Sequence, residues 1–505
     1  MEPFKVAQTL GALRKARHNV RGGTLGAVCL GLALLLGTSM ARSQPAPKFR
    51  VLYTFTNGAD GANPLDGLLL SGSTLFGTAY AGGTNGTGTV FALNTAGTDF
   101  NVLHDFAPNV ALYYDDEPWN PTGGYTNSEG GGPIGGLLVS GSTLFGSASG
   151  QQVAGGGTVF AVNTDGSHFR IFYNFATNGW AGDQPRSSLV LWSNTLLGTT
   201  SFGGSLGGGV VFAVNTDGTG FSDVLDFPGG ANGWCPQSAL VLSGITLYGT
   251  TYEGGTNAYY GTVFAMNKDG SNVICLHAFS GADGGADGEA PWAGVALSGN
   301  TLYGTAGHGG TNANGTVFAL NTDGTSFKVL HTFTGGGDGG YPTASVIVSG
   351  SQLYGTAADG GAYGAGTVFA MNTDGTDFKV LYTFTNGADG AEPWGSLVQS
   401  GNTLYGTTSD GGTVGAGTIF AITLPSGPVI EPNSLAVVAG QLQCVVTELT
   451  PGATVYVQAS SSLSPPANGL PIATNVATST NLTITGLSAT NAACRFFRVV
   501  ESLPP

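Results

Sequence analysis

Charge is scarce in this 505-residue chain: Lys, Arg, Asp and Glu together make up 9% of it. What charge there is leans acidic, 30 Asp and Glu against 15 Lys and Arg, so nucleic acid and anionic membrane surfaces are poor partners. Long apolar runs are lacking too. The one present, residues 25–36, is too short and wrongly flanked for a membrane span. Its basic approach (Arg14, Lys15, Arg17, Arg21) and the small residues before a cut after Ala41 predict a signal peptide over 1–41. The expected mature chain is secreted or held at the cell surface and has no membrane span. Removing the leader takes five of the 15 basic and one of the 30 acidic residues, leaving ten against 29. Catalytic signatures are missing as well. No Ser-His-Asp order, metal-binding Cys pair or phosphate-binding glycine loop stands out, and the many Gly-x-Gly matches follow from composition.

Glycine is what the chain has in excess, 87 residues. Scattered without period, so much glycine would suggest disorder. Here it recurs at fixed places in a repeat whose seven copies carry Leu-Tyr/Phe/Leu-Gly-Thr/Ser, beginning at Leu75, Leu144, Leu196, Leu247, Leu302, Leu353 and Leu404. Six copies continue through a Gly-Thr/Val-Val-Phe-Ala segment, an Asn-Thr-Asp-Gly-like turn and a last apolar run such as residues 378–384. Four short apolar runs separated by Ser-Gly, Gly-Gly and Asp-Gly turns are one four-stranded propeller blade. The run Val368-Phe369-Ala370-Met371 is apolar on both faces, as a blade covered by neighbours on both sides requires. The seventh copy stops after Ala421 without its last strand, and the missing strand stands at the other end as residues 49–55. The chain is therefore expected to be all-β: a seven-bladed propeller over 49–424, closed by its N-terminal strand.

The phrases Leu-Tyr-Gly-Thr, Gly-Thr-Val-Phe-Ala and Asn-Thr-Asp-Gly-Thr resemble the Gloeo/Verruco (GloVer) tandem repeat of bacterial exported and surface proteins, over about residues 49 to 424. The resemblance implies export and brings no catalytic residues with it. A Pro-rich linker at 425–428 then leads to residues 429–505, whose strand-like runs read as a small immunoglobulin-like β-sandwich of accessory role. Cys444 and Cys494 both fall there and are expected to pair, while the pairing of Cys235 and Cys275 stays open.

Function should sit on the face where the loops joining second to third strands, and fourth strands to the next blade, emerge together. Trp119, Trp180, Trp234, Trp292 and Trp394 fall in loops of the second kind, with Tyr341 at a similar place. Flat aromatic rings there suit the CH faces of a sugar, and the plainer reading is that they plug gaps between blades. The spacing of copies rises to 69 residues between Leu75 and Leu144, and the insertion holds Tyr113, Tyr114, Asp115, Asp116, Glu117 and Trp119, the best single site by composition. Asp283, Asp287 and Glu289 offer oxygen ligands for a calcium ion, in a turn that is also ordinary hairpin chemistry. His104, His277 and His331 share a register with Tyr53, Tyr173 and Tyr382 and read as structural. Three functions follow. The leading one is a non-enzymatic exported protein binding an extracellular glycan or protein ligand, with no obligate cofactor. The alternatives are a carbohydrate-active lyase or hydrolase using Asp115, Asp116 or Glu117, and a purely structural surface component.

Overall fold

The computed structural model describes residues 46–111, 125–150, 156–175, 181–255, 259–281 and 285–425, together with the backbone of strands between 429 and 502. Seven antiparallel four-stranded blades form a closed ring, and the sheet of blade 3 gains a fifth short strand, Asp183–Pro185. Blade 1 runs Leu69–Ser71, Thr74–Ala79, Thr89–Asn94 and Asn101–Asp105, and the pattern repeats in order. Blade 7 takes Val398–Ser400, Thr403–Thr408 and Thr418–Thr423 from the end of the ring and Lys48–Thr54 from its beginning. That closing strand pairs Lys48 with Thr423, Val51 with Phe420 and Thr54 with Thr418. Its register slips once, between Val51 and Tyr53, and the fourth strands of blades 1 to 6 slip against their third strands at the matching place.

Blades adhere through repeated contacts. The third-strand Phe of each blade and the Phe that ends the preceding blade's fourth strand are fully buried or nearly so. They meet edge to face across all seven boundaries, at 5.2 to 5.4 Å between ring centres, including Phe55 with Phe91 where the ring closes. The hydroxyl that ends Leu-Tyr-Gly-Thr does the polar equivalent. In six blades it donates to a carbonyl of the next blade beside the axis, from Ser147 to Ser187 O through to Thr407 to Asp66 O, at 2.9 to 3.2 Å.

Glycine in the same motif has a different cause from the one its place near the axis suggests. The atom that crowds it is the third-strand Phe of its own sheet and not a neighbouring backbone: a Cβ on Gly355 would lie 2.5 Å from the Phe369 ring. A second glycine, the one opening Gly-Thr-Val-Phe-Ala, has positive φ and faces the next blade's proline. Gly366 (φ 92°) would set a Cβ 2.5 Å from Pro393 Cδ.

Beyond the ring, Val429–Ile430, Ala436–Val438, Gln441–Thr447 and Leu482–Ser488 form one antiparallel sheet, and Thr454–Ser460, Pro471–Val476 and Phe496–Ser502 another. Cys444 lies opposite Ile484, while Cys494 falls outside the described residues and the expected pair with it. Cys235 and Cys275 are both free thiols. No helix among the described residues is long and apolar enough to cross a membrane.

Candidate functional site

Each blade is entered through a connection that ends in proline. The residue before that proline, in turn Asn63, Gly132, Gln184, Cys235, Ala290, Tyr341 and Glu392, is left-handed, with φ from 52° to 60°. None is β-branched, the type that resists this conformation most. Its backbone N–H donates to a carbonyl in the second-to-third-strand loop of the preceding blade, at 2.8 to 3.0 Å. In six of the seven its own C=O accepts from the end of its blade's second strand, and in the seventh Gln184 lies within a strand, Asp183–Pro185, paired to that same end. The chain is thus stitched at every blade boundary before it dives toward the axis.

The residue after each proline is aimed by this stitch at one place. Leu65, Ile134, Arg186, Gln237, Trp292, Thr343 and Trp394 all line a single axial cavity of about 480 Å³, a size that suits a small ligand. Beneath them lies a ring of small residues, including Ser187, Ser238, Ala293 and Ala344. Asp66 breaks that ring of small residues, where the other blades have Gly135, Ser187, Ser238, Ala293, Ala344 and Gly395. It lies deep in the molecule with part of its surface on the cavity, and it accepts hydrogen bonds from Gly67 N–H at 2.6 Å, from Gly136 N–H and from the Ser188 hydroxyl at 3.2 Å. Burial pushes its carboxyl above the ordinary value, and those three donors pull the other way.

The cavity has an aromatic side and a polar one. Trp292 and Trp394 meet edge to face at 6.3 Å, Tyr341 meets Trp394 at 5.6 Å, and Tyr252 lies 4.6 Å from Trp292. All four are half-buried. The Trp394 indole N–H donates to Glu392 Oε2 at 3.2 Å. Trp292 Nε1 lies close enough to the Tyr341 hydroxyl to favour its ionised form, against a stronger upward push from burial, but reaches no acceptor at hydrogen-bonding geometry. Across the cavity Arg186 donates from Nη2 to Gln184 Oε1 at 2.7 Å, and its Nε, shut away from solvent, has no acceptor.

Of the aromatic set expected from sequence, Trp292, Tyr341 and Trp394 come together. Trp234 stands apart, two positions before its proline, with its backbone paired to Glu253. Trp119 and Trp180 lie outside the described residues, as do Tyr113, Tyr114, Asp115, Asp116 and Glu117. The insertion that carries most of them leaves the connection between blades 1 and 2 through a short hairpin, Val110–Ala111 paired with Tyr125–Thr126. Asp283 is outside too. Asp287 is committed to the scaffold: it accepts from His277 Nε2 at 3.1 Å and from the Ser280 N–H and hydroxyl. Burial would raise its carboxyl, but these donors outweigh it and hold it below the usual range. The same lock recurs as Tyr53–Asp60, His104–Glu129, His331–Asp338 and Tyr382–Asp389. Glu289 pairs through its backbone with His308. No group of three or more metal-ligating side chains occurs among the described residues.

Sequence reasoning missed Arg186, Asp66, Gln237, Thr343 and Tyr252. The signal was available for the first four. Aligning the seven units on their prolines puts Arg186, Gln237 and Thr343 in the column that holds Trp292 and Trp394, and Asp66 in the next, among Gly, Ser and Ala.

The sequence matches the Gloeobacter/Verrucomicrobia repeat over residues 115–289 and again over 260–440, together more than half of the chain. No curated protein matches it. Among solved structures it is similar to an oligogalacturonate lyase from Vibrio parahaemolyticus, at 11% identity over 76% of this chain and 99% of that one, with a TM-score of 0.45. It is also similar to PorZ, a surface component of the type-IX secretion system of Porphyromonas gingivalis, at 14% identity over 88% and 58%, TM-score 0.45. A nidogen/laminin complex is matched at 14% identity over 59% and 91%, TM-score 0.37.

Proposed function

The chain belongs to the Gloeobacter/Verrucomicrobia repeat family, and from that premise we propose that it is an exported, non-catalytic propeller that binds a glycan in the axial cavity of its loop face. One observation carries this reading. Five buried side-chain polar atoms among the described residues have no protein partner, and three of them, Arg186 Nε, Trp292 Nε1 and Thr343 Oγ1, belong to residues lining this one cavity. Unmatched buried polar atoms cost about 1–3 kcal/mol each, so their gathering on the residues of one hollow marks a wall whose side chains are placed for something other than the stability of the fold. The half-exposed faces of Trp292 and Trp394 supply the apolar counterpart that a pyranose ring stacks on. The sandwich-like segment over 429–505 then serves as spacer or docking module. A calcium ion has no part in this reading, because the Asp287 carboxylate is taken up by its own blade.

The test is a glycan array probed with the full chain, followed by titration of the best sugar against Trp394→Ala and Trp292→Ala, each first shown to melt like the parent. Binding should weaken at least tenfold, about 1.4 kcal/mol. Undiminished affinity in both variants would reject the cavity as the site.

A further inference from the structure

Seven lysine and arginine residues fall among the described residues of the ring, and six of them share one end of the blades. Arg50, Arg170, Lys328 and Lys379 occupy the same fourth-strand register, opposite Ala421, Ala161, Ala319 and Ala370. Lys48 begins the closing strand and Lys268 sits in a third-to-fourth-strand turn. Five of these six have a partner for the charge: Arg50, Arg170 and Lys328 reach backbone carbonyls, Lys379 reaches Asp377, and Lys268 lies over the Trp192 ring. Arg186 is the exception in place, and its Nε is the one buried Lys or Arg nitrogen without an acceptor among the described residues. It stands alone at the opposite end, on the wall of the axial cavity, with one neutral acceptor and no ion pair among the described residues.

A guanidinium has five N–H donors in a planar fork and cannot lose its charge. One hydrogen bond is accounted for, from Nη2 to Gln184. The Asp183 carboxyl feels the Arg186 charge, which lowers its pKa against a larger rise from burial, but the two do not form an ion pair. In a chain with twice as many acidic as basic residues, a lone cation facing a hollow is a specific feature and not a share of a general field.

We infer that the sugar bound in the axial cavity carries a carboxylate, and that Arg186 receives it while Trp394 and Trp292 hold the ring. This rests on the glycan reading above. The carboxylate is favoured over a dianion because the wall offers one cation, and Asp66 on the floor would oppose a second negative charge. A planar monoanion also matches the fork in a two-point contact. Gln237 and Thr343 remain for the ring hydroxyls.

The experiment titrates the full chain with uronic-acid oligosaccharides, each alongside its methyl ester and its carboxyl-reduced counterpart, so that shape is kept while charge is removed. The parent protein should bind the acid at least tenfold tighter than either neutral form, and the preference should shrink with added salt. In Arg186→Gln the ratio should collapse to about one. Arg186→Lys, which keeps the charge and loses the fork, should retain part of it, and guards against a misfolded Gln variant. Neutral sugars bound as tightly as acids, or a preference that survives Arg186→Gln, would overturn the inference and leave the glycan reading standing. If neither acids nor neutral forms bind, the glycan reading falls with it.

Discussion

His104 and His331 show how a polar ring can be buried for the sake of the scaffold. Each stacks flat on the Phe of the next blade's fourth-strand approach, at 3.3 Å and 3.7 Å between centres, and each meets a carboxylate edge-on. Burial pushes both below the ordinary value of 6.5, and Glu129 and Asp338 only partly offset it. A base with a depressed folded pKa binds fewer protons folded than unfolded, so its stability contribution is full above 6.5 and erodes as pH falls below that value. The melting temperature should therefore drop on acidification from about pH 6.5, and a His104→Tyr/His331→Tyr variant should lose that part of the slope. Tyrosine is tolerated in this register, since Tyr53 and Tyr382 bond Asp60 and Asp389 at 3.0 Å. Melting curves across pH check it; an unchanged acid limb in the variant would reject the assignment. The His/Tyr equivalence was readable in the sequence because the repeat aligns those residues. Their carboxylate partners were not, because they follow at separations of 7, 10 or 25 residues in loops of unequal length, and Asp287 could pass for an ion ligand.

At the scale of the element, the second strand carries the tightest constraint. Its glycine leaves room for a fully buried Phe ring on the paired strand, so Gly355→Ala must displace Phe369 or bend the pair. Overpacking of this kind costs about 1–3 kcal/mol. Calorimetry should show a lowered melting temperature for Gly355→Ala, while alanine at Gly350, whose Cβ meets nothing within 4 Å, tests the separate cost of positive φ (60°). Equal stability of Gly355→Ala and the parent would contradict the packing account. The four-strand grammar of the repeat was legible from its turns and from third strands apolar on both faces. The reason for the glycine was not, because a contact across an antiparallel pair depends on register, and the motif alone does not give register.

For the whole molecule, closure by Lys48–Thr54 joins the two ends of the ring with the same register slip and the same edge-to-face Phe contact found at the other boundaries. Removing residues 46–55 would leave the Thr418–Thr423 strand with an unpaired edge and Phe91 without Phe55. Such a truncation should melt earlier and associate, and a synthetic peptide of residues 46–57 should restore a monomer by pairing with the open edge. Size-exclusion chromatography with and without peptide decides it, and a monomeric truncation indifferent to the peptide would refute closure as the lock. This architecture was the most legible part, since a repeat that begins on its own final strand states its closure outright. The cavity was the least legible, because its wall is assembled from one residue per blade. The stitch before each proline has a further consequence. It is made by main-chain groups alone, and Asn, Gly, Gln, Cys, Ala, Tyr and Glu all occupy it in this one chain. The rim therefore works like a socket with seven exchangeable inserts: its side chains can be replaced one at a time, and the foundations need not be relaid.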